Sequence, residues 1–152
     1  MEEKYYLQWM KKNQIESVLQ TNQYTCRFGL SLSEEDTEIL IKERFHNLKE
    51  QQRIEFGEGI LKKLIFAFCD SDFIFQENYR ETLMRLQEIF YLYKNESMDE
   101  LTDDELISYM RTAFDEECQG SLDYLSDTCL EEFARNIRRR TRRFIGRYRG
   151  DD

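Results

Sequence analysis

The sequence predicts an all-α fold: a single-domain bundle of about six helices with one short extended segment near residues 24–32. Three observations predict it. The 152 residues contain no proline, where about eight would be average. Only six glycines occur, so the chain has few breakers and suits long helices joined by short loops rather than a turn-rich sandwich or barrel. Apolar residues recur at steps of three and four through several segments, the signature of helices with one buried face. At this length the chain is one domain, residues 1–152, able to bury roughly two-thirds of its unfolded surface. The last few residues, 149–152, are expected to fray.

The first helix is predicted over about 5–21, with Leu7, Met10, Ile15, Val18 and Leu19 inward. YTCRFGLSL then alternates Tyr24, Cys26, Phe28, Leu30 and Leu32, a period of two. No second segment alternates, so the stretch reads as an extended crossover pinned to the core; pairing with another copy of the chain is the minor reading. Ser33 ahead of Glu34, Glu35 and Asp36 reads as an N-cap followed by acids at the positive end of the helix dipole. That second helix points Leu40, Ile41, Phe45 and Leu48 inward and ends near Arg53, before the glycines of FGEG.

ILKKLIFAFC is apolar around most of a helix, which marks a central third helix. CDSD ends it, with Ser71 or Asp72 as cap of the next. The fourth, over roughly 74–95, carries the seam Phe75, Tyr79, Leu83, Leu86, Phe90 and Tyr93. Thr102 and Glu105 have the T-x-x-E spacing of a capping box. They open a fifth helix facing Leu106, Met110 and Phe114 inward, with Gly120 as a left-handed stop. Ser121 caps a sixth, whose stripe runs Leu122, Leu125, Cys129, Phe133, Ile137, Thr141, Phe144 and Tyr148.

Charge is unevenly placed. The net charge is −9, yet eight arginines and no acids fall in residues 135–149. Residues 1–134 hold 14 basic and 29 acidic side chains, and residues 96–132 alone hold 13 acids against Arg111. The inward stripe continues through the arginines, so they belong to the sixth helix and are not a detached tail. Like charges four apart on a helix repel by a few tenths of a kcal/mol each, so the arginines need neutralising groups. Four sources are open. Carboxylates of the same chain can supply them, Glu131 lying four residues before Arg135. So can an acidic protein partner, including a second copy, or nucleic-acid phosphates. An anionic membrane surface is the weakest of the four, and no membrane partner is expected. The candidate binding residues are Arg135, Arg138, Arg139, Arg140, Arg142, Arg143 and Arg147.

Other chemistry finds little support, and no catalytic residue is assigned. Glu43 and His46 have the Glu-x-x-His spacing of di-iron bundles, but His46 is the sole histidine, so one chain cannot build that site. Loops starting at Asp70 and Asn95 fail the calcium pattern at its glycine position. No P-loop, GxGxxG or GxSxG occurs. No cofactor or metal is implied. Cys26, Cys69, Cys118 and Cys129 show no CxxC spacing and read as reduced cysteines packed like small hydrophobes. Without a signal-like start or an apolar run of about 20 residues, a cytoplasmic protein is expected.

FCDSDFIFQENYRETLMRLQEIFYLYKNES (68–97) and LTDDELISYMRTAFDEECQGSLDYLS (101–126) resemble a family of small proteins from anaerobic Gram-positive bacteria, a domain of unknown function. The resemblance spans most of the chain. It implies a bacterial, cytoplasmic, single-domain protein and carries over no functional residues. The expected role is a non-enzymatic protein-interaction module whose charged surfaces are the arginine helix and the acidic 96–132 segment; the alternative is nucleic-acid binding through the same arginines.

Overall fold

The computed structural model describes residues 2–53, 55, 59–98 and 100–150, with the backbone alone over 2–10 and 141–150. It is all-α. Six principal helices follow in order: α1 (Glu2–Leu19), α2 (Glu34–Glu50), α3 (Leu61–Phe68), α4 (Tyr79–Glu96), α5 (Asp103–Asp115) and α6 (Leu130–Gly150). No strand occurs among the described residues, and none of their helices is long and apolar enough to cross a membrane. The chain forms two compact units, Met1–Glu88 and Ile89–Asp152.

In the first unit α1 packs against α2. Ile15 and Val18 are buried as expected, while Leu7 and Met10 lie outside the described side chains. Ser33 caps α2 through a reciprocal pair: its hydroxyl accepts from the Asp36 amide, and the Asp36 carboxylate accepts from the Ser33 amide. Leu40, Ile41 and Leu48 are buried, but Phe45 is 41 % exposed and Arg44 is buried in its place. The buried positions 37, 40, 41, 44, 47 and 48 fill one arc of the helix centred on Arg44, and at about 100° per residue 45 falls beyond its edge. In α3, Leu61, Leu64, Ile65 and Phe68 are buried, with Phe66 left outside.

Two expectations fail here. The alternating stretch is not extended over 24–32. Residues Asn22–Thr25 and Cys26–Phe28 form short helical turns, and only the chain beyond Gly29 straightens. With no partner strand, these amides bond locally, Tyr24 and Thr25 to the Thr21 carbonyl and Gly29 to Cys26. Tyr24, Cys26 and Phe28 consequently face solvent, and Thr25, Leu30 and Leu32 are buried. Gly29 at φ +76 makes the change of direction in the left-handed region open to glycine. The fourth helix also starts later, at Tyr79. Asn78 accepts from the Phe75 amide and holds a short turn over Gln76–Asn78. Phe75 is left 57 % exposed, outside the seam it was expected to begin.

In the second unit the Thr102–Glu105 box opens α5 as expected. Leu106, Met110 and Phe114 are buried. Past Asp115 the amides of Cys118 and Gly120 bond back to the Ala113 and Phe114 carbonyls, with Gln119 and Gly120 both at positive φ. Helix-end carbonyls that would otherwise lack donors are thus satisfied. Ser121 caps the next turn by accepting from the Tyr124 amide. A π turn over Leu125–Cys129 then leads into α6. Leu125, Cys129, Phe133 and Ile137 are spaced by fours and all buried. A step of four overshoots a 3.6-residue turn, and one wide turn within the run takes up part of the drift. Thr141, Phe144 and Tyr148 fall outside the described side chains. The helix itself reaches Gly150, and residues 151–152 lie outside the described chain.

Candidate functional site

The arginine face stands on α6, opposite its apolar stripe. Phe133, Ala134 and Ile137 are buried while Arg135, Arg138, Arg139 and Arg140 are exposed. By the 100° step of a helix, Arg135 and Arg139 lie one turn apart on the side away from Phe133, and Arg138 flanks them. Arg140 falls on another side, toward α5. Arg142, Arg143 and Arg147 are helical in backbone, and their side chains lie outside those described.

Part of this charge is met within the chain. Arg135 Nη2 bonds Glu131 Oε1 at 2.6 Å, the i, i+4 pair legible in the sequence. Glu105 is held below the ordinary carboxylate range, first by the Thr102 backbone amide, then by the Thr102 hydroxyl, and last by the charge of Arg140. Arg138 and Arg139 make no ion pair among the described residues. The face therefore divides: Arg135 and Arg140 have acidic neighbours, and Arg138 and Arg139 point two guanidinium groups at solvent.

The acids of 96–132 surround the same unit. Glu100, Asp104, Glu116, Asp123, Asp127 and Glu132 are exposed. Lys94 is bonded to Asp103 at 3.1 Å, and Arg111 to Asp115 at 2.6 Å. This stretch contains a single base of its own, so its exposed acids far outnumber its cations.

Beneath these charges lies a group of side chains that sequence spacing did not single out. Cys118 follows α5, Cys129 closes the π turn, and their Sγ atoms are 3.5 Å apart. Glu117 Oε2 lies 3.6 Å from the Cys129 Sγ. Beside them the Tyr93, Tyr109 and Phe133 rings cluster at centroid distances of 5.0 to 5.9 Å. The Tyr93 hydroxyl donates to the Leu125 carbonyl at 2.8 Å. Burial pushes both thiols up, Cys129 to about 12 with Cys118 and Glu117 adding to the effect. No CxxC spacing announces this pair: eleven residues and two turns separate the cysteines. Cys69 is buried as expected, whereas Cys26 is exposed and does not pack as a small hydrophobe.

In the first unit, Tyr24, Phe28 and Phe66 form an exposed aromatic group with centroids 5.6 and 5.8 Å apart, and Arg27 lies over the Tyr24 ring. A small polar cleft is lined by Ser31, Asp36, Gln76 and Arg80 among others. Its groups satisfy one another, Arg80 pairing with Asp36 at 3.4 Å and Gln76 bonding the Ser31 backbone. Glu43 and His46 build nothing together: the His46 ring is exposed and lies 4.0 Å from Glu50. Among the described residues no three histidine, cysteine or acidic side chains converge on a metal position.

No curated protein and no solved structure matches the chain. The sequence model of a family of unknown function, DUF6323, matches residues 17–143, a span that takes in the capping signals, the cysteine pair and the arginine helix as far as Arg143. The chain therefore belongs to the DUF6323 family of unknown function.

Proposed function

We propose that the protein is a non-enzymatic interaction module of the bacterial cytoplasm that docks a carboxylate-rich protein surface on the arginine face of α6. The observation that supports this is the exposure of Arg138 and Arg139 without an ion pair among the described residues. Arginine forks match carboxylates in two-bonded geometry. A second copy of the chain offers such a surface through its acidic 96–132 segment, and opposed charged surfaces steer and orient association. The four free cysteines suit a reducing compartment.

Light scattering tests the reading. A concentration-dependent rise in mass up to about 100 µM is expected at low salt, weakening as salt shortens the screening length. Arg138→Glu with Arg139→Glu should abolish the rise without loss of helicity. A strict monomer across that range removes pairing between copies. The same variant pair is then measured against a labelled DNA duplex and an RNA at about 50 and about 200 mM salt. Salt-sensitive binding there, lost on charge reversal, would transfer the face to nucleic acid.

A further inference from the structure

We propose that Cys118 and Cys129 form a reversible oxidation site, closed to an intrachain disulfide by exchange with a low-molecular-weight disulfide. The geometry carries this. Their sulfurs touch at 3.5 Å, so about 1.5 Å of approach reaches a disulfide bond length. The two sulfurs come from different local settings, one a turn and the other a π turn within the helical run that begins at Leu122. Cys118 lies in the turn after α5, and Cys129 ends the π turn, against which α5 packs. Buried cysteine acting as a small hydrophobe has its own example here in Cys69, which approaches the Phe66 carbonyl. Cys118 and Cys129 differ in facing each other.

The two thiols differ in burial, and a proton acceptor lies beside one of them. Cys118 is the more open sulfur-bearing residue, 6 % exposed against 1 % for Cys129. As thiolate it attacks one sulfur of the small disulfide. The Cys118–reagent bond forms, the reagent's S–S bond breaks, and the first small thiolate leaves and takes up a proton. Cys129 then gives its proton to the Glu117 carboxylate, 3.6 Å away, and attacks the Cys118 sulfur. The second small thiolate leaves and accepts that proton. Two protein thiols are oxidised, and one reagent disulfide is reduced to two thiols. The product clamps the turn after α5 to the turn that leads into α6. In a reducing cytoplasm such a bond is transient and regulatory rather than structural.

The test uses the full chain carrying Cys26→Ser, which removes the exposed thiol and leaves three. The protein is incubated natively with oxidised glutathione, quenched in acid, unfolded, and its thiols counted and mapped by mass spectrometry. The expected count falls from three to one, with the peptides bearing Cys118 and Cys129 joined and Cys69 reduced. Dithiothreitol should restore all three. A further Cys118→Ser change, with helicity checked by circular dichroism, should stop the loss at Cys129. Three thiols left unreacted, glutathione retained on either cysteine, a bond to Cys69, or a bond only between two chains would each overturn the proposal.

Discussion

Gly59 shows how one residue can set the terms for a buried charge. Arg44 is 1 % exposed, its Nη2 3.9 Å from Glu55 Oε2. A β-carbon on Gly59 would stand 2.6 Å from Arg44 Nε and Nη2 and from Glu55 Oε2. Its φ of +60 is in the left-handed region as well, which costs a residue with a side chain about 1–2 kcal/mol. Gly59→Ala should therefore lose about 2 kcal/mol or more in urea unfolding, because a guanidinium buried on all sides has little room to retreat. A loss within a few tenths of a kcal/mol would show that Arg44 relocates freely. Thr102→Ala tests the α5 cap, with an expected loss of about 1 kcal/mol near neutrality. Glu105 has its carboxyl lowered by the same cap. Its contribution is present above the ordinary carboxylate value and lost as pH falls below it. The deficit of the Thr102 variant should accordingly narrow at about pH 3.

Among the elements, the junction before α6 is held by a single hydroxyl as well as by packing. The Leu125 carbonyl opens the π turn and accepts from Tyr93 at 2.8 Å, with Tyr93 fully buried. Tyr93→Phe keeps the ring cluster and removes the donor, leaving a buried carbonyl short of a partner. The expected loss is about 1–3 kcal/mol by urea unfolding; an unchanged midpoint would mean the π turn closes without it. Elements announced by capping chemistry were legible in the sequence, since Ser33, Thr102 and Ser121 act through residues within three positions of themselves. Elements where two local signals compete were not. Ser71 does bond the Phe73 amide, as a cap would, yet the helix waits for Asn78. The exchange of Phe45 for Arg44 has the same origin: composition favours the ring, and rhythm favours the arginine. The arginine face was legible as a face, but its division into neighboured and solvent-facing arginines depends on where α5 lies. The thiol pair, made by two turns that sequence spacing cannot fold, was not legible at all.

On the scale of the whole molecule, both compact units bury hydroxyls and thiols that ionise in alkali. Tyr79 in the first unit and Tyr93 in the second are pushed above the ordinary phenol range, chiefly by burial. Cys129 is pushed from 9.0 to about 12. An unfolded chain releases these protons near their ordinary values, while the folded chain retains them. Stability associated with the raised Cys129 value is intact below about pH 9 and is lost as pH climbs toward about 12. The urea midpoint should fall steadily over that window, and replacing Cys129 with alanine should flatten the fall after its own packing loss is subtracted. A midpoint that holds level to about pH 11 would contradict the burial of these groups.

The chain beyond Gly29 is extended without being an open strand edge. Asn22 both donates to the Leu32 carbonyl and accepts from the Leu32 amide, and Gln76 does the same for Ser31. Each side-chain amide imitates one peptide group of a neighbouring strand. Ser31 and Leu32 thus sit in a ladder one rung wide on each side, completed without any second strand. An edge closed in this way offers no template for strand addition. Strand addition at Ser31 and Leu32 is therefore closed off by the chain's own side chains.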